Sequence, residues 1–141
     1  MSTKPVAKIT KTIKTNLAEA WDVLTNPIAV KQYFFDTNME TSWEIGSKIS
    51  FKGVYEGTEY EDKGIVKTFV PLESLSYSYR SSWDTLPDVP ENYLLVSYLI
   101  KKVDNGIEFT IFQESQNQDQ AKHSEESWSN ILVEIENMIG E

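Results

Sequence analysis

The stretch Trp128–Ile139 limits the architecture more than any other part of the chain. Its apolar residues at 128, 131, 132, 135, 138 and 139 recur at the i, i+3, i+4, i+7 spacing of a single helical stripe, while Glu126, Asn130, Glu134 and Asn137 fall opposite. Asn117 with Gln120 three residues on supplies an N-cap, and Gly140 a C-terminal stop. The spacing therefore predicts a helix from about Gln118 to Ile139, roughly 33 Å long, enough to cross a small domain. Such a helix needs a cover for its stripe. Upstream of Trp128 the stripe thins to Ser124 and Ala121, so the first half of the helix leaves room against whatever covers it.

The rest of the chain supplies the cover. Val6–Lys14 alternates as a strand, with Ala7, Ile9 and Ile13 on one parity. Asn16 caps a first helix with Glu19 at N3 and Leu17, Trp21 and Leu24 on one face. Thr25-Asn26-Pro27 ends it and opens a second, short helix to about Gln32. From Tyr33 to Glu114 the hydrophobic period changes from 3.6 to 2. Strands are expected near Asn38–Trp43, Ser47–Tyr55, Thr58–Phe69, Ser74–Ser82, Asn92–Val103 and Ile107–Glu114, divided by turn residues such as Glu56-Gly57 and Asp104-Asn105-Gly106. Short links between successive strands make an antiparallel meander. Parity proposes Ile49, Phe51, Ile65, Phe69, Leu75, Tyr77, Tyr79, Ile107, Phe109 and Ile111 as inward-facing; Asn92–Val103 is apolar on both parities and leaves its facing open. The expected fold is α+β in the order β-α-α-β6-α: a curved antiparallel sheet of about seven strands wrapped on the long C-terminal helix. With 141 residues and no linker or repeat, a single domain spanning 1–141 is expected.

Composition narrows the function. A net charge of −9 opposes nucleic acid and anionic membranes as partners, and no apolar run of membrane-spanning length is present. The absence of cysteine removes disulfides and thiolate zinc sites, and the chain reads as soluble and cytoplasmic. Charge is unevenly placed: Lys4, Lys8, Lys11 and Lys14 precede the first acid, whereas 114–141 holds seven acids and one base. Adjacent packing of the first strand and last helix accounts for that asymmetry most simply, and a partner-binding patch is the alternative.

Two motifs resemble a known family. Ala18-Glu-Ala-Trp21-Asp-Val-Leu24-Thr25-Asn-Pro27 followed by Gln32-Tyr33-Phe34, and then Gly64-Ile-Val66-Lys-Thr-Phe-Val-Pro71-Leu-Glu-Ser-Leu75-Ser-Tyr77-Ser-Tyr79, resemble proteins similar to the C-terminal domain of the activator of heat-shock protein 90 ATPase. The likeness spans about Ile9 to Ile139. It implies the helix-grip fold of the START-related, pollen-allergen-like superfamily, with a cavity between sheet and long helix. It also implies a chaperone as a partner. Ser127 stands where that family usually has glycine before the helix tryptophan, and His123 takes the place of an upstream histidine. Catalytic residues are not shared across the family, so the resemblance implies a cavity without implying a reaction.

The candidate chemistry is sparse. His123 is the only histidine and sits among polar residues on the first turns of the last helix, which reads as a solvated side chain; no catalytic residue, metal site or cofactor is expected. Glu56, Glu59, Glu61 and Asp62 crowd one hairpin but match no calcium-loop spacing. Arg80, the only arginine, either holds a ligand carboxylate at the cavity mouth or forms a surface ion pair with Asp84 or Glu91. Aromatic residues Trp21, Phe34, Trp43, Phe51, Phe69, Tyr77, Tyr79, Trp83, Phe109 and Trp128, with Leu132 and the small Ala121 and Ser124, are the candidate ligand-binding set, and the proline-bearing loop Trp83–Glu91 a candidate lid. Three function classes follow. The favoured one is non-catalytic binding of a small hydrophobic or amphipathic molecule, by a monomer or homodimer. The alternatives are a regulator of the heat-shock protein 90 ATPase and a cyclase- or hydrolase-type enzyme of the same superfamily.

Overall fold

A computed structural model of the chain describes residues 4–34 and 36–139. The expected stop at Gly140 lies outside the described residues. Strand β1 (Val6–Ile13) is followed by helices α1 (Leu17–Thr25) and α2 (Pro27–Tyr33). Six strands come next: β2 (Asn38–Thr41), β3 (Lys48–Tyr55), β4 (Thr58–Val70), β5 (Ser74–Tyr79), β6 (Leu94–Val103) and β7 (Gly106–Glu114). Helix α3 (Gln118–Ile139) closes the chain with the bounds its stripe predicts.

Side-chain caps place the helices. Asn16 Oδ1 accepts the Glu19 N–H at 2.9 Å, and the Glu19 carboxylate takes the Thr15 hydroxyl proton at 2.5 Å. Asn26 serves both short helices: its N–H donates to Asp22 O (2.8 Å) at the end of α1, and its Oδ1 accepts the Ile28 N–H (3.0 Å) at the start of α2. One residue thereby satisfies groups that both helix ends would leave unpaired. At α3, Asn117 Oδ1 accepts the Gln120 N–H at 2.8 Å.

The seven strands form one antiparallel sheet in the order β1-β7-β6-β5-β4-β3-β2. The meander from β2 to β7 is sequential, and α1 and α2 carry the chain from one edge of the sheet to the other. Lys11 Nζ lies 3.4 Å from Glu136 Oε1, so β1 and α3 do set their opposite charges against each other. The core is the layer between the inner sheet face and α3, where Ile49, Phe51, Leu75, Tyr77, Ile107, Phe109 and Ile111 meet Trp128, Ile131, Leu132 and Ile135. On β6 the facing is now settled, with Val96, Tyr98 and Ile100 inward and Leu95 and Leu99 outward.

Strand β4 departs from simple parity. Ile65, expected inside, is 37% exposed, and Val66 takes the inner position at 0%. The cause is a β-bulge: Val66 pairs with Tyr77 but Thr68 with Ser76, so two steps on β4 answer one on β5. The extra residue, Lys67, returns Phe69 to the inner side, against Trp21 and Trp43. Strand β5 also ends earlier than expected, at Tyr79; beyond it a lone bridge ties Arg80 to Lys63, and residues 81–93 form a loop with one 3-10 turn, Pro90–Asn92. Among the described residues no helix is long and apolar enough to cross a membrane, and no group of three or more potential metal ligands occurs.

Candidate functional site

A cavity of about 220 Å³ opens between the inner sheet face and the first half of α3. Rings of Phe34, Tyr77, Tyr79 and Trp128 and the aliphatic Val96 and Ile131 wall it, and Gln113, Gln120, His123, Ser124 and Ser127 bring polar groups to it. Its position follows from the thinning of the helical stripe, since Ser124 lines it where a large apolar residue would fill it.

Five rings form a closed circuit around this region. Phe34 meets Phe51 edge-on (5.9 Å between centroids), Phe51 meets Tyr77 (5.4 Å), Tyr77 meets Tyr98 (5.8 Å), Tyr98 meets Trp128 (5.6 Å), and Trp128 returns to Phe34 (5.8 Å). Tilted and edge-to-face pairs of this kind stabilise beyond their buried area. Hydrogen bonds fix the rings that carry polar atoms. The Tyr77 and Tyr98 hydroxyls share a hydrogen bond of 2.8 Å, and the Trp128 indole N–H donates to Gln113 Oε1. Tyr79 donates its hydroxyl proton to Asp62 Oδ2 at 2.6 Å. Burial pushes the phenols of Tyr77, Tyr79 and Tyr98 well above their ordinary pKa, and the Asp62 carboxylate adds to the effect at Tyr79. The three phenols stay neutral, and the wall is apolar and uncharged.

The structure divides the aromatic residues singled out in the sequence. Phe34, Tyr77, Tyr79 and Trp128 face the cavity together with Ser124, and Phe51 backs them. Trp21, Trp43 and Phe69 form a separate stack, each tryptophan 5.4 Å from Phe69. Within that stack Trp43 has φ 61°, an uncommon backbone for a bulky residue, held while its indole N–H donates to Thr25 O at 3.3 Å. Phe109 and Leu132 are core, and Ala121 is buried without reaching the cavity.

Trp83 and Arg80 lie elsewhere. Trp83 is 55% exposed and rests near Tyr60, away from the helix. Arg80 Nη2 donates to the carbonyl of Leu86 (2.7 Å), and its Nε stands 3.9 Å from Asp88 Oδ1, so the guanidinium holds loop 81–93 rather than the cavity mouth. Neither Asp84 nor Glu91 contributes the carboxylate. The loop is pinned at Asp88, which also takes a 2.8 Å contact from Lys63 and the Tyr93 hydroxyl proton at 2.6 Å, and it does not cover the cavity beside α3.

Gln113, Gln120 and His123 were not in the expected set. The two glutamines sit where β7 ends and α3 begins, and only the chain reversal between those elements brings them to the cavity; no local pattern marks them. His123 is exposed at the rim. His123→Ala should leave the unfolding free energy within about 0.5 kcal/mol of the parent, as for a surface change without buried partners. Urea denaturation checks this, and a larger loss would mean that the imidazole holds the rim together.

A model for the family described as "Activator of Hsp90 ATPase homolog 1-like protein" matches residues 14–140. The solution structure of a Cytophaga hutchinsonii protein is 32% identical, covers 99% of this chain and 97% of its own, and superposes with a TM-score of 0.86. The crystal structure of a Rhizobium loti protein (16% identity, 96% of each chain, TM-score 0.78) and the solution structure of the Aha1 dimer from Colwellia psychrerythraea (15% identity, 96% of each chain, TM-score 0.72) share the fold. No curated protein sequence matches the chain.

Proposed function

We propose that this chain, which belongs to the family of activator of Hsp90 ATPase homolog 1-like proteins, is a non-catalytic binding module for a small aromatic or apolar molecule held between the sheet and α3. The observation that carries this reading is the aromatic-walled space of about 220 Å³ with amide and hydroxyl groups around it. Size bounds the ligand: an apolar cavity of about 150 Å³ accepts benzene, and drug-sized pockets start near roughly 300 Å³. One ring or two fused rings with a single polar substituent fit that interval. Among the described lining residues His123 at the rim is the one histidine, and no carboxylate or lysine lines the cavity with it as a second acid or base.

The test is a titration with 2-naphthol, followed by ¹⁵N NMR through the indole N–H of Trp128. Saturable shifts at Trp128 and Ser124 are expected in the parent. Ser124→Leu fills the cavity, so the variant should keep or gain stability and lose naphthol binding; forcing leucine into a dense core would cost roughly 1–3 kcal/mol. Absence of saturable binding in the parent, or unchanged binding in a destabilised Ser124→Leu, would end this reading. The family name supports a second one, stimulation of a chaperone ATPase. A stimulated chaperone ATPase rate that is indifferent to Ser124→Leu would favour it.

A further inference from the structure

The opposite face of the sheet carries a larger hollow, of about 700 Å³, that the ligand reading above does not use. Its floor is apolar. Ile65, turned outward ahead of the bulge, and Leu95 on β6 are 37% and 39% exposed and lie on either side of the β5 residue Ser78. One wall is loop 81–93, through Pro90 and Tyr93. That wall is fixed in place by Asp88, which accepts the Tyr93 hydroxyl proton at 2.6 Å and pairs with Lys63 at 2.8 Å.

The rim is cationic in a chain whose net charge is −9. Lys4, Lys48, Lys63 and Lys67 line the hollow against two carboxylates, Asp88 and Glu114. The four are not equally neutralised. Lys63 is matched by Asp88, and Lys48 lies 3.3 Å from Glu61. Lys4 donates only to the carbonyls of Glu91 and Tyr93, at 2.7 and 3.0 Å, which orients its ammonium without cancelling its charge. Lys67, the bulge residue, has no carboxylate within ion-pair distance among the described residues. Glu114 meanwhile accepts the Leu95 N–H at 2.8 Å, so part of its hydrogen-bonding capacity is already taken up by the sheet.

An apolar floor beneath unmatched ammonium groups is complementary to one kind of molecule. We propose that this outer groove binds an amphipathic organic anion, a carboxylate on a medium-length apolar tail, with the tail on Ile65 and Leu95 and the head drawn to Lys67 and Lys4. The groove has the volume of an ordinary ligand site, roughly 300–1,000 Å³, whereas the inner cavity is too small for such a tail and has no ammonium group on its wall. The acidic remainder of the protein repels the same ligand, which confines it to this face.

Decanoate, kept well below its micelle-forming concentration, is the probe, with decyl glucoside as the uncharged amphiphile and inorganic phosphate as the bare anion. Amide shifts on decanoate binding should gather at Gly64, Ile65 and Leu95, and added salt should weaken binding. Lys67→Glu should weaken it about tenfold, because a favourable surface pair is replaced by an unfavourable one. Lys67 makes no ion pair, so the variant should melt with the parent. Ser124→Leu should leave decanoate binding unchanged, which separates this site from the inner cavity. The proposal is overturned if decanoate shifts centre on Ser124 and Trp128, if Lys67→Glu binds as the parent does, or if decyl glucoside or phosphate binds as well as decanoate.

Discussion

Gly64→Ala should destabilise the protein by about 3 kcal/mol or more, the upper end of what overpacking a dense site costs. A Cβ at this position would stand 1.6 Å from the carbonyl oxygen of Ser78 and 2.5 Å from its carbon. Both atoms are backbone, so no rotamer relieves the clash, and β4 and β5 would have to separate where the bulge already bends them. Against a total stability of ~5–15 kcal/mol the loss is large, and for a domain of this length it corresponds to a fall in Tm of about 10 °C. Gly57 supplies the control. It sits in the β3–β4 turn with φ +80° and nothing within 4 Å of its missing Cβ, so Gly57→Ala meets backbone strain alone, about 1–2 kcal/mol. Guanidinium unfolding of the two variants should therefore rank Gly64→Ala well below Gly57→Ala. Equal midpoints would mean that the strands give way easily at Ser78.

Trp128→Ala should cost about 3–5 kcal/mol, the range for deleting a buried large side chain. Trp128 is the point at which α3 joins the ring circuit, through Phe34 on one side and Tyr98 on the other, and its loss also leaves Gln113 without the indole donor. The variant should differ from other core truncations in one respect. The space it vacates adjoins the cavity already present, so apolar aromatic molecules too large for the parent should bind and raise its Tm in a concentration-dependent way. Phe109→Ala, also at a buried ring but not lining the cavity, should lose comparable stability without such rescue. Thermal melts of both variants with and without pyrene distinguish the two outcomes. Rescue of neither would show that the cavity and the tryptophan site do not merge.

The features legible in the sequence were those set by periodicity and local turn chemistry. The stripe of α3, the paired helices around Asn26 and the number and order of strands all follow from residues within a few positions of each other. Facing failed where a single residue broke the count: parity carried from Ile65 to Phe69 is correct for an unbroken strand, and Lys67 carries no mark of being the extra residue. The candidate set likewise merged the cavity rings with the Trp21–Phe69–Trp43 stack, because both lie on the inner face and parity does not say where along the sheet a ring sits; Trp83 belongs to neither, its place being set by loop 81–93. Arg80 and loop 81–93 were least legible, since their geometry rests on a guanidinium meeting carbonyl groups and on Asp88 as a shared acceptor, neither of which produces a repeat.

The pairing of the first strand with the last has a consequence for how the chain comes to be folded. Thr10 and Thr110 are neighbours across this ladder although 100 residues separate them. Closing a loop of that length must be met in entropy before any of its contacts form, which raises the contact order and slows folding. On the ribosome, β2 to β6 can pair hairpin by hairpin as they emerge, yet β1, made first, has no neighbour until β7 is out. Helix α3 comes later still, and until then the inner face of the meander is open to water. For most of its synthesis the nascent chain is thus a half-covered sheet with a waiting edge strand, the state most exposed to pairing with the wrong molecule.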